Sequence, residues 1–273
     1  MLNSLLLICA LACYLGATLL IAGYIRANAS NTGDTKNLTF ASILGSVGVV
    51  VHLTFAYITC FIGTSLNFST HSMLVLLSGI LILVFLISSI AMPIRRLGVL
   101  VFPLTIISLL LTLILDQSSV STLNSSPSLT GHILVSILAF SIITIATIQG
   151  LLYIYQERQL KKRAAPAMLM ALPPLQTMEQ LLFRLITIGF VFLTLTLLSG
   201  AIFSQSIFGH AFAFKHHTIL AFLGWLVFAT LLFKRFKYGL RGSQAIILTV
   251  IGFTLIQLGY FGTKLVSDII TVN

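Results

Sequence analysis

Charged residues are scarce in this sequence, and acidic residues are the scarcest of them. Only 7% of the 273 residues are charged, and just five are Asp or Glu, whereas soluble domains carry about 25% charged residues. Hydrophobic residues make up 58% of the chain, which is more apolar surface than a soluble core can absorb. All five acids lie at or beyond the ends of apolar runs, so a proton pump or carboxylate-based cation carrier would lack its usual intramembrane residues. The composition therefore predicts a polytopic membrane protein.

The motifs of several enzyme classes are also absent. The chain has no G-x-x-x-x-G-K-[ST] phosphate loop, no H-E-x-x-H zinc motif and no G-x-S-x-G nucleophile motif. Its three cysteines, Cys9, Cys13 and Cys60, lie inside apolar runs and form no C-x-x-C-H haem-attachment motif and no paired C-x-x-C zinc pattern. Nothing marks a nucleophile, and we expect that the protein is not an enzyme.

Eight apolar runs predict an all-α fold, a polytopic integral membrane bundle of about eight transmembrane helices. The runs cover residues 3–23, 38–62, 71–91, 97–115, 131–155, 183–204, 217–233 and 244–266. A helix needs roughly 20 apolar residues to cross a bilayer. The first run has no preceding positive residue and no clean A-x-A site, so we expect it to be retained as a span. We predict one transmembrane domain over residues 1–273, with the longest cytoplasmic connection at 156–182 and outer loops at 116–130 and 204–216.

Basic residues fall almost entirely on alternate connections between these runs. Thirteen of the fifteen follow this pattern: Arg26, Lys36, Arg95, Arg96, Arg158, Lys161, Lys162, Arg163, Arg184, Lys234, Arg235, Lys237 and Arg241. The positive-inside rule makes these connections cytoplasmic, and with eight spans both termini are then extracytoplasmic. This placement accounts for the net charge of +10, so we expect contact with the lipid bilayer and no nucleic-acid partner.

Histidines have the opposite distribution, since none of the six lies in a cytoplasmic connection. His52 is inside the second apolar run, where an ionisable side chain is a functional-site hypothesis by default. A neutral His52 that hydrogen-bonds a neighbouring helix is the alternative. His132 opens the fifth run and begins a stripe of mostly small residues, which we expect to pack against other helices. The stripe comprises His132, Ser136, Ala139, Ile143, Ala146 and Gly150.

An ordered series of residues resembles the cytochrome c assembly (CcsA-type) membrane protein family, and specifically its YpjD-like branch. The series comprises Val51-His52-Leu53, Pro103, Gly131-His132-Ile133, Pro173-Pro174-Leu175, Met178-Glu179, Gly189-Phe190, Trp225, Gly239-Leu240-Arg241-Gly242 and Gly259-Tyr260-Phe261-Gly262. The resemblance covers most of the chain and is strongest from His132 to Gly262. Each of these short motifs is unspecific by itself, and the resemblance depends on the order in which they occur along the chain.

The resemblance implies a haem-binding or haem-handling protein of the bacterial plasma (inner) membrane, with its haem site on the extracytoplasmic side. His132 and His52 match family histidine positions and are the predicted metal ligands, which requires that the two helices adjoin. Lys215 is the one basic residue in an outer loop and is the predicted propionate partner. In full family members a tryptophan-rich outer segment cradles haem, whereas here Trp225 is the single tryptophan and is included among the cofactor-binding residues. Other cytochrome c maturation proteins are the implied partners.

Two other functions stay open at this point. A non-catalytic scaffold or accessory subunit that has lost haem ligands would use the segment 164–182, which is apolar, broken by prolines and flanked by basic residues. A small-solute permease would need a polar path near the membrane midplane. Only His52, Gln149 and Gln257 are candidates for such a path.

Overall fold

Eight α-helices account for most of the described structure. A computed structural model describes residues 2–28, 35–62, 65–67, 69–115, 122–124, 127–162, 173–208 and 216–259. The helices are α1 (Leu2–Asn28), α2 (Lys36–Cys60), α3 (Thr70–Ala91), α4 (Gly98–Leu111), α5 (Pro127–Lys161), α6 (Leu175–Phe208), α7 (His216–Tyr238) and α8 (Ser243–Gln257). A 3-10 turn (Arg95–Leu97) precedes α4, and the described residues also form three short strands: β1 (Phe61–Ile62), β2 (Ser65–Asn67) and β3 (Thr122–Asn124).

The predicted helical membrane class is confirmed. Each of the eight apolar runs coincides with one helix. Within the described residues, six helices (α1, α2, α3, α5, α6 and α7) are long and apolar enough to cross a membrane. Helix α4 has 14 residues and the described part of α8 has 15, so these two are shorter than the usual spanning length.

The chain divides into two compact units by its internal contacts, and the single transmembrane domain over residues 1–273 stays a prediction. Unit 1 comprises residues 1–126 and 158–174, and unit 2 comprises residues 127–157 and 175–273. Each unit has its own buried core, which composition cannot reveal because every run is apolar throughout.

Unit 1 is built on a ring of four helices. Helix α2 packs on α1 and α3, and α4 closes the ring by packing on both α3 and α1. Three aromatic side chains, Tyr14, Phe85 and Phe102, are among the largest fully buried groups of the chain. The ring of Phe102 stacks on Tyr14 and lies edge-on to Phe85, each at 5.8 Å between centroids. The core therefore joins α1, α3 and α4 through one aromatic cluster.

A small antiparallel sheet joins two connections at one end of unit 1. Strand β2 pairs with β1 on one side and with β3 on the other, in the order β1-β2-β3. The α2–α3 connection and the α4–α5 connection therefore lie at the same end. At the opposite end, the Arg96 guanidinium donates to the Tyr24 hydroxyl at 3.2 Å, which brings the end of α1 to the α3–α4 turn.

These contacts show that the short helix α4 connects the same two ends of unit 1 as its longer neighbours do. The chain enters α4 at the end where Arg96 contacts Tyr24 and next contributes β3 to the sheet at the other end. The alternation of connections predicted from charge thus agrees with the geometry of unit 1.

In unit 2, α7 packs between α6 and α8, and α5 is the most enclosed helix. Every residue from Ala139 to Thr147 of α5 is buried. The stripe members Ala139, Ile143, Ala146 and Gly150 are buried as predicted. The sequence predicts that one face of α5 is packed, whereas the structure buries this part of the helix on all sides.

Helices α5 and α6 extend further into the connections than the apolar runs indicate. Helix α5 continues to Lys161, and α6 begins at Leu175, immediately after Pro173 and Pro174. Proline is favoured just before or at the start of a helix and disfavoured in its interior, which explains the start of α6 within the predicted connection 156–182. At its far end α6 reaches Phe208, inside the predicted loop 204–216. Residues 163–172 and 209–215 lie outside the described part of the chain.

Candidate functional site

His52 lies at the centre of unit 1 and has no exposed surface. Its Nδ1 is 3.1 Å from the hydroxyl oxygen of Tyr14 on α1, and its Nε2 is 3.1 Å from the carbonyl oxygen of Val75 on α3. The Ser78 hydroxyl is 3.4 Å from Nε2. The imidazole therefore links three helices, α1, α2 and α3.

The partners of His52 determine its tautomer. A carbonyl oxygen only accepts, so Nε2 carries the proton and donates to Val75. In the neutral ring, Nδ1 then accepts from the Tyr14 hydroxyl. Both nitrogens are used within unit 1, so a metal bond at either one requires that a hydrogen bond be broken.

His132 near the start of α5 has a different environment, within unit 2. It is half-buried, and its Nδ1 is 2.8 Å from the Ser199 hydroxyl on α6. When the Ser199 hydroxyl donates to the Thr196 carbonyl at 3.0 Å, its oxygen accepts the proton of His132 Nδ1. This tautomer leaves the lone pair on Nε2, the arrangement that a metal-ligating histidine with an oriented ring has.

Gly200 allows α6 to approach the imidazole of His132. A Cβ at position 200 would lie 3.2 Å from His132 Cε1, which is tighter than ordinary contact. Glycine at this position therefore lets the ring lie against α6 while Ser199 holds its Nδ1.

Trp225 on α7 belongs to an aromatic stack in unit 2. Its ring stacks on Phe190 at 5.5 Å and on Phe222 at 5.8 Å between centroids. The indole N–H donates to the Thr194 hydroxyl at 2.9 Å, which satisfies its one polar group. The stack joins α6 and α7 through contacts between apolar rings.

Several predicted features lie outside what the structure describes. Lys215 is not among the described residues, and the same holds for most of the outer segment 204–216, whose side chains are not described. His52 belongs to unit 1 and His132 to unit 2, so the hypothesis of a shared pocket stays a prediction. Among the residues that the structure does describe, no group of three or more His, Cys, Asp and Glu side chains could hold a metal ion.

A polar corner at the basic ends of α6 and α7 was not predicted. The Arg235 Nη1 donates to Glu179 at 2.8 Å and to the Leu240 carbonyl at 2.9 Å. Its guanidinium lies 4.2 Å from the centre of the Phe183 ring. Glu179 lies just beyond the end of an apolar run, yet its side chain is only 13% exposed. The Met178-Glu179 and Gly239–Gly242 pieces of the family series meet at this corner.

Three residues that hold the histidines and the corner were missed: Tyr14, Ser199 and Arg235. Tyr14 gives the clearest signal, because a tyrosine deep in an apolar run must find a partner for its hydroxyl. Ser199 precedes a glycine inside a helix, which favours close approach of another helix. Neither pattern identifies the partner.

Comparison with known proteins connects this chain with one family. The family model described as cytochrome C assembly protein matches residues 37–271. Inner membrane protein YpjD of Escherichia coli (strain K12) is 28% identical over 171 residues, which are 63% of this chain and 64% of that protein. The cytochrome c biogenesis protein CcsA of Guizotia abyssinica is 35% identical over 93 residues, 34% of this chain and 29% of that protein. The CcsA protein of Atropa belladonna is 36% identical over 93 residues, again 34% of this chain and 30% of the relative. The aligned stretches therefore span less than two thirds of each relative.

Proposed function

The chain belongs to the cytochrome c assembly protein family, and we propose that it handles haem during the maturation of c-type cytochromes. The relatives that are named for cytochrome c biogenesis support this role. The relative named as an inner membrane protein supports a multi-pass location in the bacterial plasma membrane. The role is non-catalytic, with the haem site at the extracytoplasmic side and other maturation proteins as partners.

His132 is the primary proposed ligand, and its hydrogen bond to Ser199 is the observation that carries the proposal. Bound haem supplies an iron that takes axial imidazole ligands. A ligand histidine works best when its second nitrogen is held by a fixed acceptor, which keeps the ring orientation and the tautomer. Ser199 holds Nδ1 at 2.8 Å, and the lone pair is then on Nε2.

His52 is the second proposed ligand, and its ligation carries a condition of its own. Its nitrogens already bond Tyr14 and Val75, so ligation needs the release of one partner. Trp225, through its stack with Phe190 and Phe222, is the proposed apolar contact for the macrocycle. Lys215 remains the proposed partner of a propionate.

The test is an absorption titration of the detergent-purified protein with haem, followed at the Soret band. We expect the wild-type chain to bind one equivalent with a shifted Soret maximum. The His132→Gly variant should lose that shift, and added imidazole should restore it, because the free base can occupy the position of the missing ring. The His52→Ala variant shows in the same assay whether the Soret shift also depends on the second proposed ligand.

Ser199→Ala tests the orienting role of the hydroxyl. Removal of such a partner lowers metal affinity by about 10–100-fold. Ser136→Ala is the matched control, because the Ser136 hydroxyl bonds the backbone carbonyl of His132 within α5 and does not hold the ring. Unchanged spectra for His132→Gly and His52→Ala together would exclude both as ligands, and no haem uptake by the wild-type chain would favour the scaffold alternative.

A further inference from the structure

An open groove of about 350 Å³ lies between α6 and α7. Four apolar side chains contribute to its lining: Phe183 and Ile188 from α6, and Leu232 and Phe236 from α7. Arg184 and Arg235 line the same groove. Phe236 is 80% exposed, so the apolar part of the groove is accessible from the outer surface of the two helices.

The arginines of this groove lie at the edge of the predicted membrane core. Helix α6 has 34 residues and is about 51 Å long at 1.5 Å per residue, whereas the hydrocarbon core is about 30 Å thick. Its apolar run covers 183–204, so the residues before position 183 project beyond the core. The apolar run of α7 ends at Phe233, directly before Lys234 and Arg235. Arg184 is the second residue of its run and Arg235 follows the end of its own, so both lie at the edge of the predicted core, within reach of lipid headgroups.

This end of unit 2 has an excess of positive charge. Helices α6 and α7 and the turn after α7 carry Arg184, Lys234, Arg235, Lys237 and Arg241 against the single carboxylate of Glu179. That carboxylate is already bonded to Arg235 at 2.8 Å. Arg184 is exposed, and no hydrogen bond or ion pair to it occurs among the described residues.

We infer that the groove binds an anionic phospholipid, with the headgroup phosphate on Arg184 and an acyl chain along Ile188 and Leu232. A guanidinium forms strong charge-assisted hydrogen bonds with phosphate oxygens. Basic pockets between transmembrane helices at the membrane surface select anionic headgroups. A zwitterionic lipid would bring its ammonium group to a region that is already strongly positive, so it is disfavoured.

Native mass spectrometry of the full chain tests this binding. The protein is released from vesicles of equal phosphatidylglycerol and phosphatidylethanolamine with identical acyl chains, and the retained lipid is identified. We expect one retained phosphatidylglycerol. One surface cation contributes about a fivefold change in lipid affinity, so Arg184→Ala should lower retention by about that factor while Arg184→Lys keeps most of it.

Two further variants distinguish lipid binding in this groove from general attraction of lipid to the positive surface. Thr187→Trp fills the groove without change of charge, and it should reduce retention as Arg184→Ala does. Arg95→Ala removes an exposed arginine from the turn before α4 in unit 1 and should retain lipid like the wild type. Equal loss in Arg95→Ala, equal retention of both lipids, or wild-type retention in Arg184→Ala and Thr187→Trp would each overturn the proposal. The result is independent of haem binding, because every measurement is made without haem.

Discussion

At the scale of single residues, the hydroxyl of Tyr14 is the group that keeps His52 satisfied inside unit 1. Tyr14 and His52 are both fully buried, so no solvent can replace the hydrogen bond at Nδ1. We predict that Tyr14→Phe destabilises the protein by about 1–3 kcal/mol, the penalty for a buried acceptor without a partner. The measurement is the apparent free energy of unfolding in mixed detergent micelles.

Tyr57→Phe is the matched control for this prediction. Tyr57 lies on α2, like His52, but it is 65% exposed and its ring packs on Phe61. The loss of its hydroxyl should change stability by less than about 0.5 kcal/mol. Equal effects of the two variants would mean that the Tyr14–His52 hydrogen bond contributes nothing of its own.

The two histidines could be singled out from the sequence, but their partners could not. An imidazole in an apolar run is visible by composition, whereas Tyr14 is 38 positions away from His52 and Ser199 is 67 positions away from His132. Such pairings depend on the rotation of each helix about its axis. When a helix is apolar on every side, the hydrophobic pattern does not determine that rotation.

At the scale of elements, the turn between α7 and α8 depends on a left-handed residue. Gly239 has φ +65°, and its N–H donates to the Arg235 carbonyl while the Leu240 N–H donates to the Lys234 carbonyl. These bonds end α7 with the glycine C-cap motif. The same turn brings the Leu240 carbonyl to the Arg235 side chain, so the cap and the polar corner depend on one backbone conformation.

We predict opposite effects for two glycine-to-alanine changes. A Cβ at Gly239 meets no atom within 4 Å, so Gly239→Ala introduces only backbone strain, about 1–2 kcal/mol. Gly23 in α1 has equally open surroundings and no positive φ, so Gly23→Ala should stabilise the helix by up to about 1 kcal/mol. Thermal unfolding in detergent measures both, and a Gly239→Ala protein as stable as the wild type would contradict the role of the cap.

The positions of the helices were predictable, and their ends and the sheet were less so. Each apolar run contains a helix because a membrane core leaves the backbone no other way to satisfy its hydrogen bonds. The start of α6 at Leu175 could have been read from Pro173-Pro174, since a helix commonly begins just after proline. Strands of two or three residues such as β1 and β3 have no periodic pattern, so their pairing could not be predicted.

At the scale of the whole molecule, the charge pattern and the sheet of unit 1 agree on which connections lie on the same side of the membrane. The sheet puts the α2–α3 and α4–α5 connections at one end of unit 1, and the Tyr24–Arg96 contact puts basic residues at the other. The positive-inside rule makes the Arg96 end cytoplasmic. By the same rule we expect the basic end of α7 to be cytoplasmic.

Labelling of single introduced cysteines tests this topology and the crossing of α4. Pro93→Cys lies in the turn before α4 and Tyr238→Cys at the end of α7, where Tyr238 is 69% exposed. Both should react with a membrane-impermeant maleimide only after the membrane is opened, whereas Leu123→Cys in β3 should react in intact spheroplasts. The wild-type chain, whose three cysteines lie within helices, gives the background. If Pro93→Cys and Leu123→Cys react from the same side, α4 does not cross, and the eight-span topology with both termini extracytoplasmic is wrong.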